Sequence, residues 1–150
     1  MNTFDMIKFI EKYGVEEFEK YQKEHKDIYS LEELSTILNR FLGKKTLTDK
    51  SMSQSKISRL SGLSKSYINE LFSFNPKKHK KPSRDVLLRI GFAMSLDKSE
   101  IDMLLKTSGF KELYPRNPRD IAIMVALERG YTLEEASDYL EEKELAPLEK

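Results

Sequence analysis

Residues 52–72, MSQSKISRLSGLSKSYINELF, place one glycine between two short runs of apolar residues at helical spacing. Ile57 and Leu60 fall on one side of the first run, with Met52 leading in. Ile68, Leu71 and Phe72 fall on one side of the second, and Leu63 plugs the joint. Ser58 and Ser61 are small where the two runs must approach. Gly62 accepts a positive φ that would cost a bulky residue about 1–2 kcal/mol. Ser64 can accept from the unpaired N–H groups that open the second run. Together these residues predict two short helices joined by a tight turn around a shared apolar angle.

The buried side fixes what lies opposite. With Ile68, Leu71 and Phe72 turned inward, Lys65, Ser66, Asn69 and Ser73 occupy the outer face, with Glu70 at its edge. Their polar groups can donate or accept, and most are short enough for close approach to another surface. The major groove of duplex DNA, about 12 Å wide, admits a helix and presents donor and acceptor patterns that such groups read. Gln54, at the positive end of the first helix, can reach a phosphate with the nearby N–H groups.

At Met52, Ser53, Gln54, Ile57, Ser58, Gly62, Leu63, Ser64, Ile68, Asn69 and Leu71, the sequence resembles the phage-repressor and Cro-like (XRE-type) helix-turn-helix family. The family continues with a loop, a Pro-Ser or Pro-Thr pair and a further helix, a course that KPSRDVLLRIGFAMSLDKSEIDMLL follows. The resemblance covers about residues 31–109. It implies a backbone contact for Gln54 and base-facing roles for Lys65 and Ser66, with Asn69 and Glu70 further along the reading helix. Three departures stand out: Ser58 in place of alanine, a nine-residue connection at 43–51, and a long basic loop, FSFNPKKHKKP. Glu70 in a phosphate-lined groove would be repelled unless it accepts from a cytosine amino group.

Helix signals recur through the rest of the chain, and strand signals are nearly absent. Phe4, Ile7 and Ile10, then Phe18 and Tyr21, keep helical spacing on either side of Gly14. Ser30 with Glu33 reads as a capping box opening a helix that Gly43 closes. GKKTLTDKS then reads as a polar loop. Ser83–Met94 predicts a helix with Val86, Leu87, Ile90 and Ala93 inward, and Asp97 with Glu100 caps the next, which ends at Gly109. YPRNPRD is a Pro-rich break, with Pro118 suited to a first helical turn. It reads as a rigid connector, although Arg116 and Arg119 also suit a phosphate. Ile121–Arg129 is helical up to Gly130, and Thr132 with Glu135 opens a last helix through Glu142. The tail LAPLEK is expected to fray. Ile121, Val125, Leu133, Ala136, Tyr139 and Leu140 form a C-terminal apolar set.

The fold class expected is all-α: a repressor-like helix-turn-helix bundle at 30–109 with helical extensions at 1–29 and 110–150. Either extension packs on the bundle or forms a dimer seam. Charge is distributed unevenly along this plan. Net charge is +1, yet twelve of 26 basic residues and only three of 25 acidic ones lie between Gly43 and Gly91. That segment carries +9 and the remainder −8, a pattern suited to a central polyanion contact.

Cysteine is absent, which excludes disulfides and thiolate chemistry. His25 and His79 stand in separate charged stretches with no ligand-spaced partner. The acids at 16, 17, 19 and 24 read as a solvated helix face, and no Gly-rich phosphate loop, GxSxG or HExxH occurs. No apolar run approaches the ~18 residues of a membrane span, and the N-terminus offers no small-residue cleavage signal. The expectation is a cytoplasmic, non-enzymatic regulator of transcription, a homodimeric repressor without cofactor or metal. It would read double-stranded DNA with the helix at about 64–73. Lys65, Ser66, Asn69 and Glu70 are the base-facing candidates. Gln54, Ser64, Ser73, Lys77, Lys78, Lys80 and Lys81 are the phosphate candidates. A second reading makes the chain an antitoxin or adaptor that grips a partner protein through its N-terminal helices.

Overall fold

The computed structural model describes residues 3–75 and 80–150, without the side chains of 21–30, and all regular structure among the described residues is helical. In chain order the helices are α1 (Thr3–Tyr13), α2 (Val15–Thr46), α3 (Gln54–Ser61), α4 (Lys65–Phe72), α5 (Arg84–Ala93), α6 (Lys98–Thr107), α7 (Pro118–Glu128) and α8 (Leu133–Glu142). None is long and apolar enough to cross a membrane.

α5 is the centre of the bundle. Val86, Leu87, Leu88, Ile90, Phe92 and Ala93 are all buried, so this helix is apolar around most of its circumference. α3 packs on α5 and, through Ile57, Ile68, Leu71 and Phe72, on α4. The second half of α2 closes the bundle with Leu34, Leu38 and Phe41, touching α4 and α6. α7 and α8 form a hairpin against α5 and α6, and all of these side chains join one core.

Six successive helices start with a side-chain cap. Ser53, Ser64, Ser83, Asp97, Asn117 and Thr132 each accept from the backbone N–H three residues on. Each such cap contributes about 1 kcal/mol. The capping boxes of Asp97 with Glu100 and of Thr132 with Glu135 form in full. Pro118 occupies the first turn of α7, where its missing N–H is no loss.

Several sequence expectations give way. No helix begins at Ser30: α2 runs unbroken for 32 residues, about 48 Å, across the 29/30 boundary. Nor does Gly43 end it, because the helix continues to Thr46. Nothing between Gly14 and Gly43 breaks a helix, and a single interior glycine costs only about 1 kcal/mol. The first helix does end as expected, at Gly14 with φ 91°.

α1 contains no buried residue, so it does not pack into the core as an extension of the bundle. Phe9 instead lies tilted against the rings of Tyr13 and Phe18, centroids 4.9 and 6.0 Å away. Phe4, Ile7, Tyr13 and Val15 stay exposed, Phe4 at 63%. Leu60 and Ile121, expected inside, are each 41% exposed, because the apolar stripes of α3 and α7 are narrower than the spacing suggested.

The C-terminal tail does not fray. Leu148 is only 4% exposed and joins the core. Arg119 donates to the carbonyls of Ala146 and Pro147 at 2.9 and 2.6 Å, and Arg89 to that of Leu148 at 2.8 Å. The Glu149 N–H donates to Asp85 at 3.0 Å. A buried leucine and satisfied backbone groups hold the segment where composition alone suggested solvent.

Candidate nucleic-acid interface

The α3–α4 unit is built as its residues dictate. Ser53, in extended conformation, caps α3, which puts Gln54 at the first helical position. Gly62 closes α3 at φ 74°, and its N–H donates to the Ser58 carbonyl at 3.1 Å. The Ser58 hydroxyl donates to the Leu63 carbonyl at 2.7 Å, and the Leu63 N–H donates to the fully buried Ser61 hydroxyl at 3.3 Å. The small serines therefore satisfy the backbone of the turn as well as permitting close approach. From α5, Arg89 Nε donates to the Ser61 carbonyl at 2.9 Å.

Ser64 then caps α4 by accepting from the Tyr67 N–H at 3.1 Å. The far end of α4 is tied to α2: Asn39 Nδ2 donates to the Phe72 carbonyl at 2.8 Å. Lys65, Ser66, Asn69, Glu70 and Ser73 are all exposed. At about 100° per residue, Ser66, Glu70 and Ser73 lie opposite the buried Ile68, while Lys65 and Asn69 flank them on one side. Asn69 Nδ2 donates to Gln54 Oε1 at 3.3 Å, so the first residue of α3 and the outer face of α4 form one continuous polar surface. Tyr67 is half-buried on the other flank, and burial, then the Glu70 charge, raises its phenol above the ordinary range.

Ser64 and Ser73 thus sit at the two caps of α4, their side chains exposed. Lys80 is exposed, and Lys81 is exposed with its ammonium 4.5 Å over the Phe110 ring. Lys77, Lys78 and His79 lie outside the described residues, as does the side chain of His25. No group of three or more potential metal ligands comes together among the described residues.

The central positive charge is less available than a sequence count suggests. Lys44 and Lys45 lie 3.7 and 3.5 Å from the buried Glu100, and Lys45 also donates to the Ser95 carbonyl. Arg84 pairs with the buried Asp120, and Arg89 is spent on the carbonyls of Ser61 and Leu148. Lys56 pairs with Asp49 at 3.0 Å. Asp49 also accepts from the Ser51 hydroxyl at 2.6 Å and its N–H at 3.0 Å. The Ser51 bond foremost, then Lys56, lowers its carboxyl to about 2. Lys50, Arg59, Lys65 and Lys80 are exposed without an ion pair among the described residues. Arg119 pairs with Asp85 and is a structural group, as the connector reading of YPRNPRD has it, while Arg116 is exposed.

No family model matches the chain, and no curated protein or solved structure does so. Asn39 and Arg89 hold the site through the carbonyls of Phe72 and Ser61, and neither is among the residues expected there from the sequence. An asparagine inside an otherwise apolar and charged helical run was the one visible signal for Asn39. Nothing local distinguishes Arg89 from its basic neighbours.

Proposed function

We propose that this chain is a sequence-specific regulator that binds double-stranded DNA, laying α4 in the major groove. The observation that carries the reading is the outward face of α4. Lys65, Ser66, Asn69, Glu70 and Ser73 remain exposed on a helix whose inner side, turn and both ends are fixed by the core, Gly62, Ser64 and Asn39. The likeness of residues 52–72 to phage-repressor and Cro-like helix-turn-helix proteins points the same way.

In this reading Ser66, Asn69 and Glu70 meet base edges, Lys65 reaches in from the flank, and Gln54 positions α3 on a phosphate while bonded to Asn69. Lys80 and the neighbouring lysines of the loop neutralise backbone charge. Bound as a homodimer, two α4 helices about 34 Å apart would read a palindrome, and occlusion of a promoter would make the protein a cytoplasmic repressor. Selection of bound fragments from random duplex DNA at two salt concentrations tests the proposal. A consensus with affinity falling steeply in salt supports it, and the absence of any consensus overturns it.

One observation favours a second reading, a module that grips a partner protein. Phe4, Ile7, Tyr13 and Val15 expose apolar surface on α1 and the start of α2, where no core residue covers them. Stoichiometric copurification of another protein, without a salt-dependent DNA shift, would decide for it.

A further inference from the structure

The last residues of the chain lie in a socket that recognises main chain. Three successive carbonyls, of Ala146, Pro147 and Leu148, accept from guanidinium groups of Arg119 and Arg89. The next N–H, of Glu149, donates to Asp85, whose other oxygen accepts from Arg119. One side chain, Leu148, is buried. The groups engaged are successive main-chain groups of a segment outside any regular element, with a single apolar anchor, the kind of main-chain capture by which peptides are held in grooves.

The socket also touches the candidate interface. Arg89 donates through Nη1 to Leu148 and through Nε to the Ser61 carbonyl, the last residue of α3. A Cβ built on Gly62 would lie 2.8 Å from Arg89 Nη2 and 3.2 Å from Lys150 Cε, so this C-terminal segment, the strap, reaches the α3–α4 turn through the Lys150 side chain. The bend that returns the strap contains Glu144 at φ 58°, a left-handed conformation that disfavours glutamate.

We propose that the groove bounded by Ser61, Asp85, Arg89 and Arg119 is a peptide-binding site for a non-helical segment of the Ala-Pro-Leu-Glu type, filled in cis by residues 146–150. Its occupancy sets the order of the α3–α4 turn. With the strap seated, Arg89 is fixed at both ends and clamps Ser61. With the strap out, three guanidinium bonds and the Asp85 amide bond are lost and the clamp slackens. The consequence for DNA rests on the reading of α4 given above, whereas the coupling between strap and turn does not.

The test uses the full chain carrying Leu148→Asp and a fluorescein-labelled octapeptide of the sequence 143–150. Hydrogen exchange at the Gly62 and Leu63 amides should rise about tenfold, while α7 and α8 keep wild-type protection. The octapeptide should bind the variant at least about tenfold more tightly than wild type, whose socket is filled in cis at a high effective concentration. Saturating peptide should return the exchange toward wild type. Glu149→Pro, which removes the N–H given to Asp85 and restricts the backbone there while keeping the Leu148 side chain, serves as a second variant and should give a shift of the same sign.

Unchanged exchange at Gly62 and Leu63 in both variants would overturn the coupling. Equal peptide binding by wild type and Leu148→Asp would overturn the site. If the exchange moves as expected but the wild-type chain selects no duplex, the strap coupling stands and the DNA reading falls. If both hold, duplex affinity should drop with the strap released and recover with the peptide.

Discussion

Arg84 donates through both terminal nitrogens to the two carboxylate oxygens of Asp120, each at 2.9 Å. The residues beside them repeat the contact in reverse, Arg119 donating to both oxygens of Asp85 at 2.8 and 2.9 Å. Two Arg-Asp dipeptides, one in the first turn of α5 and one in that of α7, thus exchange partners. Each aspartate stays near the positive end of its own helix, where the dipole favours an acid. Each arginine uses its planar fork across the gap, a geometry stronger than a single-point contact. The Asp120 carboxylate also accepts from the Tyr114 N–H, which folds the connector onto the same lock. The helix after the candidate reading unit is therefore bolted to the C-terminal hairpin.

Removing one half of that lock should be costly, because Asp120 is buried and its loss would leave Arg84 without its bidentate partner. Asp120→Asn keeps the shape and one acceptor but loses the charge. Its expected cost is about 3 kcal/mol, a fall in Tm of roughly 6–12 °C by calorimetry for a chain of this size. Arg84→Gln should cost a similar amount, and the double variant less than the sum, with a coupling on the order of 2 kcal/mol. Strict additivity would mean that the two groups do not act as a pair.

Two glycines that read alike in the sequence should respond oppositely to alanine. Gly62 has φ 74°, and a Cβ there meets Arg89, so Gly62→Ala should destabilise by about 1–2 kcal/mol. Gly43 lies inside α2 with nothing within 4 Å of an added Cβ. Gly43→Ala should therefore stabilise by about 1 kcal/mol. Urea unfolding of both variants checks the sign, and a destabilised Gly43→Ala would argue against a continuous α2.

That contrast marks the limit of what the sequence disclosed. Local signals were legible wherever one residue type answers one backbone need: Gly62 at the turn, Ser64 and Thr132 as caps, Pro118 in a first turn. Ser30 and Gly43 carry the same letters but sit in a run of good helix formers, whose propagation outweighs a single weak position. The outer face of α4 followed from its inner one, since Ile68, Leu71 and Phe72 fix the register. Pairings across distance were not legible. Nothing near Arg84, Arg89 or Arg119 says that each faces inward to a carboxylate or a carbonyl, so a count of charges between Gly43 and Gly91 overstated the cationic surface. The expectation of a frayed tail fails for the same reason, its partners lying 27 to 64 positions away.

Acid should remove one of these pairings in a predictable window. Burial pushes the Asp85 carboxyl up, but hydrogen bonds from Arg119 and the Glu149 amide, with the charges of Arg119 and Arg84, together hold it below the ordinary range. A carboxyl lowered by folding stabilises above its unfolded value and loses that contribution as pH falls through the folded one. Asp85→Asn should therefore be less stable than wild type at neutral pH by on the order of 2 kcal/mol. The gap should narrow below about pH 4. Denaturant titrations of the two proteins down the pH scale measure it, and a gap constant to about pH 2.5 would contradict a held carboxylate.

The proposed DNA contact makes a prediction that separates surface charge from structural charge. Each Lys or Arg that meets a phosphate adds about 0.9 to the slope of log affinity against log salt. Lys80→Ala should flatten the slope by up to that amount and weaken all sequences alike. Lys45→Ala should leave the slope unchanged, because Lys45 is engaged with Glu100 and the Ser95 carbonyl. Lys56→Ala should do the same, since that ammonium is held by Asp49 and the Ser51 hydroxyl. Lys65→Ala differs in kind: it should cost about 1–3 kcal/mol on the selected site and relax preference at one base pair. Titrations over a salt series, on the selected duplex and a scrambled one, distinguish these outcomes. If Lys45→Ala flattened the slope as much as Lys80→Ala, the basic centre would act as a diffuse field, and the assignment of α4 as the reading helix would lose its electrostatic support.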